Sequence, residues 1–188
     1  MRVFAPSIVY VLLSANRVPT NLFGLLPSEV VMFIVNRLLV TIADIMFVGD
    51  GGVGKTTFVK KMMTGWFEPK YIPTLGAETH TIETRKVRYH IYDTAGHERY
   101  ACRVSHHTRM VDLIVIMYDC GSRVALKSVR DRIKKLDVPY IVVANKMDMC
   151  RICPRQMPPS HIKISTKTLQ NCNRVFDTID EILLTKSV

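Results

Sequence analysis

Residues 49–56 read Gly49-Asp50-Gly51-Gly52-Val53-Gly54-Lys55-Thr56 and match the spacing G-x-x-x-x-G-K-[ST]. A short apolar run, Ile42 to Val48, lies before them and a helical stretch, Thr56 to Met63, lies after. That is the strand–loop–helix setting the spacing requires. The glycines let the backbone curl so that successive N–H groups face one concavity and bind phosphate oxygens, and the helix start adds its positive dipole end. Gly51, Gly52, Val53, Gly54, Lys55, Thr56 and Thr57 are therefore read as lining a nucleotide site. Lys55 supplies a mobile positive charge, and the Thr56 hydroxyl is a hard oxygen ligand suited to Mg²⁺.

Outward from this loop, apolar runs alternate with helical patterns. Ile42–Val48, Leu113–Tyr118 and Tyr140–Ala144 read as buried parallel strands, and Ile162–Ile164 as a brief one. Ala77–Ile82 and Val87–Tyr92 alternate as two strands joined by a polar hairpin turn over Glu83–Lys86. Ser122–Lys135 has helical spacing with a basic face. Thr168–Leu183 reads as a closing helix with Leu169, Phe176, Ile179, Ile182 and Leu183 turned inward. The expected fold is α/β: a six-stranded, mostly parallel sheet with one antiparallel strand and helices on both faces.

Three further motifs narrow the nucleotide. Asn145-Lys146-Met147-Asp148 follows a strand. A carboxylate at Asp148 accepts two hydrogen bonds from guanine and finds no such donors on adenine, so adenine leaves a desolvated charge unpaired. The Lys146 stem can lie over the base. Asp93-Thr94-Ala95-Gly96 ends another strand, where Asp93 suits Mg²⁺ and the Gly96 N–H suits a γ-phosphate. Ser165-Thr166-Lys167 follows the last strand, with the Thr166 N–H within expected reach of the guanine carbonyl. Their order behind the phosphate loop argues against a small-molecule kinase, in which residues 145–148 have no task.

With these motifs in place the chain resembles a small Ras-superfamily GTPase, and within it the Ran branch. The stretches Thr56–Lys61, Thr64–Tyr71, Thr74–His80, Asp93–Tyr100 and Ile114–Val129 carry that likeness, which covers about residues 42–185. The resemblance implies bound GTP or GDP with Mg²⁺. It implies Phe67 beside the guanine and Tyr71 closing over the γ-phosphate. Thr74 would join Thr56 and Asp93 around Mg²⁺ in the GTP state, and Asn145, Lys146 and Asp148 would read the base. It further implies an exchange factor, an activator and effectors among nuclear transport receptors, with work in nucleus and cytoplasm as a monomer. GTP would order both switch segments, and hydrolysis would release them.

One position departs from the family. His97 stands where a glutamine usually orients the attacking water. A histidine directly after Asp-x-x-Gly also resembles the GTPases of translation, which act when an activator positions it. His97 and Lys55 are thus the candidate catalytic residues of a slow, activator-dependent GTPase. The alternatives are a hydrolysis-impaired, GTP-bound decoy or scaffold, and a ubiquitin-ligase adaptor.

The adaptor reading comes from the N-terminal residues. The chain divides into an extension over 1–41 and a GTPase domain over 42–188. Leu25–Leu38 resembles the opening of an F-box within a helix expected at 25–39, begun by Pro27 and Ser28. Met1–Leu13 superficially resembles a signal peptide, but its apolar run is short and Pro6 interrupts it. Leu25–Val48 is long enough to span a bilayer, yet Glu29, Asn36, Arg37 and Asp44 make it costly in lipid. No stable lipid anchor is expected, since position 2 is not glycine and residues 184–188 hold no cysteine.

The chain carries 26 Lys and Arg against 16 Asp and Glu, a formal +10. That charge suits acidic partners, but without interleaved aromatics it does not predict direct nucleic-acid binding. The turn 84–86 and the helix 127–135 are read as solvated basic faces. Five cysteines form no disulfide framework. Cys150 and Cys153 form a single CxxC whose one nearby extra ligand candidate is His161.

Overall fold

The computed structural model describes residues 41–70, 72–74, 76–84, 87–94, 111–122, 124–150 and 157–185. The expected helix at 25–39 and the F-box likeness lie outside the described residues. So do Tyr71, Gly96, His97 and Cys153.

Among the described residues the chain forms six strands and three α-helices. They are β1 (Thr41–Val48), α1 (Lys55–Thr64), β2 (Ala77–Glu83), β3 (Val87–Thr94), β4 (Leu113–Asp119), α2 (Ala125–Ile133), β5 (Tyr140–Asn145), β6 (Ile162–Lys163) and α3 (Cys172–Thr185). The strands form one sheet in the order β2-β3-β1-β4-β5-β6. Every neighbouring pair is parallel except β2 with β3, which run antiparallel from Ala77 opposite Thr94 to Glu83 opposite Arg88. Thr84 closes that hairpin: Val87 N–H donates to its hydroxyl at 3.0 Å. This is the expected architecture.

Side chains on a strand alternate between faces, and β1 shows why its apolar run is nearly unbroken. Ala43, Ile45 and Phe47 pack in one core with Phe58 and Val59 of α1 and Val175, Phe176 and Ile179 of α3. Met46 and Val48 pack in a second core with Ala125 and Val129 of α2. Both faces of the central strand are therefore covered. Phe58 sits between Phe47 and Phe176, with ring centroids 5.6 and 5.9 Å away.

Two expectations need correction. The closing helix begins at Cys172, not Thr168. Leu169 and Asn171 adopt left-handed φ values of 64° and 56°, and Ser165 bridges Gln170, so residues 168–171 form a turn. Leu169 is consequently 47% exposed instead of facing the core. The basic helix is shorter, Ala125–Ile133, and its face is not wholly solvated, because Arg132 pairs with Asp50. No helix among the described residues is long and apolar enough to cross a membrane.

Candidate nucleotide site

Parallel strands β1, β4 and β5 all end on the same edge, where ligands bind in sheets of this kind. The loop after β1 turns sharply at Gly49, where a Cβ would lie 2.0 Å from the Met117 carbonyl oxygen. At Gly54, φ is 99° and a Cβ would meet Asn145 Nδ2 at 2.6 Å. Only glycine fits either place. Helix α1 starts immediately after, so its N-terminus opens towards the loop.

Lys55 folds back along this loop. Its Nζ donates to the carbonyls of Gly49 at 2.9 Å and Asp50 at 3.0 Å, bracing the turn from inside. The side chain is buried, and desolvation lowers its pKa from 10.5 to about 8; nearby Arg132 pushes the same way, while Asp93 and Asp50 oppose it. A phosphate would restore the counter-charge that burial removes.

A second cluster lies beside Lys55. Thr56 Oγ1 is hydrogen-bonded to Thr74 Oγ1 at 2.7 Å and donates to Asp93 Oδ2. Three elements thus bring together two hydroxyls and a carboxylate, the oxygen set a hard cation prefers. The other carboxylate oxygen, Asp93 Oδ1, is buried and has no hydrogen-bond partner among the described residues. Burial raises the Asp93 pKa, against the Thr56 hydrogen bond and the Lys55 charge. An unpaired, desolvated carboxylate oxygen beside two hydroxyls fits Mg²⁺. Among the described residues no group of three His, Cys, Asp or Glu is arranged to hold a metal ion. Of the CxxC pair, Cys150 directs its Sγ at the Cys120 carbonyl, and His161 Nδ1 is engaged by the Tyr118 hydroxyl.

The third cluster follows β5. Asn145 is 1% exposed, so its amide needs partners inside the protein. Nδ2 donates to the Val53 carbonyl at 2.9 Å, and Oδ1 accepts from the Thr166 N–H and hydroxyl, both at 3.0 Å. Asn145 thus ties the phosphate loop to the 165–167 loop, and its Nδ2 carries a second hydrogen besides the one given to Val53. Asp148 is exposed, and Ser165 Oγ donates to its Oδ1 at 2.6 Å, which orients the carboxylate. Lys146, with φ of 64°, sends Nζ to Asp119 Oδ2 at 2.9 Å.

These clusters share one cleft of about 480 Å³. Gly51, Gly52, Gly54, Lys55, Thr56, Thr57, Phe67, Thr74, Asn145, Lys146, Asp148, Thr166 and Lys167 all line it. Val53 and Ser165 support its wall through the bonds above. Trp66 and Lys60 line it too and were not singled out from sequence. Neither was Asp119, although its register opposite Asn145 at the strand ends is a signal that strand pairing supplies.

A phosphate-cradling loop, a hydroxyl–carboxylate cation cluster and an acid-bearing base loop on one α/β sheet define a P-loop nucleotide-binding domain. The Ras family model matches residues 44–184, and the chain belongs to that family. It is a small GTP-binding switch protein. Members of the family bind GTP and GDP, typically with Mg²⁺, hydrolyse GTP, and interact with exchange factors, activators and effectors.

Proposed function

We propose that this chain is a Ran-like switch that binds GTP with Mg²⁺ in the cleft and hydrolyses it slowly until a partner protein activates it. The observation that carries this reading is the convergence of Thr56, Thr74 and Asp93 beside the braced Lys55, with Thr56, Thr74 and Lys55 lining the same cleft as Asp148. Main-chain amides of 51–56 and Lys55 would hold the phosphates. Asp148, oriented by Ser165, would accept from guanine, and Lys146, held at its tip by Asp119, would cover the base. Thr56, Thr74 and Asp93 would hold Mg²⁺, which when bound neutralises phosphate charge. Thr74 belongs to the connection between α1 and β2, so its seat on Thr56 would link that segment to the phosphate state.

His97 in place of glutamine supports slow, activator-dependent turnover, because an imidazole orients water only when positioned and suitably protonated. The same likeness supports transport-receptor effectors, residence in nucleus and cytoplasm, and a switch domain over 42–188 carrying an extension over 1–41. The direct test is calorimetry with GTP, GDP and ATP, followed by single-turnover hydrolysis. Guanine nucleotides should bind at least about a hundredfold more tightly than ATP. His97→Gln should raise the basal rate. Equal affinity for ATP would end the guanine assignment, and fast unaided hydrolysis by the native chain would end the activator-dependent one.

A further inference from the structure

The phosphate loop carries a carboxylate, Asp50, at its second position. Its side chain turns to α2. Asp50 Oδ1 accepts from Arg132 Nη2 at 2.8 Å and from Ser128 Oγ at 3.0 Å. Both donors sit on α2, four residues apart and so on one face of that helix. Through its main chain, Asp50 also accepts from Lys55 Nζ at 3.0 Å. One residue therefore joins the phosphate-binding lysine to a helix on the other side of the sheet. The Arg132 side chain is only 22% exposed, so water screens the pair less than an open surface bridge. The charges of Asp50 and Arg132 also act on Lys55 in opposite senses.

We infer that Arg132 is a positioning residue for nucleotide binding, which neutralises the Asp50 carboxylate in the phosphate loop and, with Ser128, anchors that loop to α2. This rests on the reading of residues 49–56 as the nucleotide phosphate loop. Without Arg132, a bare carboxylate would sit in that loop, repel the phosphates and loosen the turn that Lys55 braces. The effect is electrostatic first and mechanical second, which gives it a signature that a packing role lacks.

The test uses the full chain loaded with a fluorescent GDP analogue, chased with excess GDP. Arg132→Ala should speed dissociation about tenfold, equivalent to about 1.4 kcal/mol. Adding Asp50→Ala to that variant should return the rate to within about threefold of the native one, because no charge is then left to neutralise. Arg132→Lys, which keeps the charge, should also lie near the native rate. Raising salt should slow dissociation from Arg132→Ala more than from the native chain. Thermal unfolding of each variant checks the fold, and where Arg132→Ala folds poorly Arg132→Gln, which keeps most of the side chain without the charge, takes its place in the same rate and salt comparisons. Arg132→Ala releasing nucleotide at the native rate, or the double variant releasing it as fast as the single, would overturn the inference while leaving the nucleotide site intact. Failure of the native chain to take up any guanine nucleotide would instead remove the underlying reading, and this inference with it.

Discussion

Replacing Asn145 with alanine should damage stability and nucleotide binding together. The residue is fully enclosed and makes three hydrogen bonds, to the Val53 carbonyl and to the Thr166 N–H and hydroxyl. At about 1 kcal/mol net for each bond, the loss is about 3 kcal/mol, since alanine leaves the same partners buried and unmatched. For a domain of this size that corresponds to a fall of about 6–12 °C in Tm. Binding should weaken as well, because the same amide holds the phosphate loop against the loop that follows β6; about tenfold in Kd for GDP is expected. Thr166→Ala is the internal comparison. It removes only the hydroxyl bond and keeps the N–H, so it should cost about 1 kcal/mol. Circular dichroism melts and calorimetry on both variants give the ordering. If Asn145→Ala lowers Tm no more than Thr166→Ala, the role of Asn145 as the tie between the two loops is wrong.

Three further outcomes follow from the same geometry. Trp66 is the one tryptophan in the chain, is 73% exposed and lines the cleft, so adding GDP or GTP should alter its emission; unchanged intensity and wavelength at saturation would place the nucleotide elsewhere. Burial lowers Lys55 from 10.5 to about 8, so between those values the unfolded chain binds more protons and this group makes stability rise with pH. A phosphate favours the charged amine, so GDP binding near pH 8 should take up protons and weaken as pH rises through about 8; calorimetry in buffers of different ionisation enthalpy should detect the uptake, and none would refute it. Asp93→Asn should remove the tightening of GDP binding by Mg²⁺, so that chelator no longer speeds release; a native-like response to chelator would exclude Asp93 from the cation site.

Much of this molecule was legible along the chain because its signals are local. A glycine-rich turn between an apolar run and a helix, and runs buried on both faces, declare a parallel sheet and a phosphate loop without reference to distant residues. The limits of α3 were less legible. Thr168–Asn171 share the composition of a helix start, but the left-handed φ of Leu169 and Asn171 and the bridge from Ser165 to Gln170 turn the chain there. That reversal rests on left-handed backbone at Leu169, a residue type that rarely adopts it, so composition alone does not announce it.

The primary structure by itself settled the α/β class and the strand–loop–helix setting of residues 49–56. Tertiary structure alone decided that Asn145 faces Val53 and Thr166, that Asp119 holds Lys146, and that Asp50 meets Arg132. These pairs are separated along the chain by intervals with no regular period, and folding alone brings their polar atoms within bonding distance. Once they are buried or half-buried there, the cost of leaving a donor or charge unmatched selects the partner.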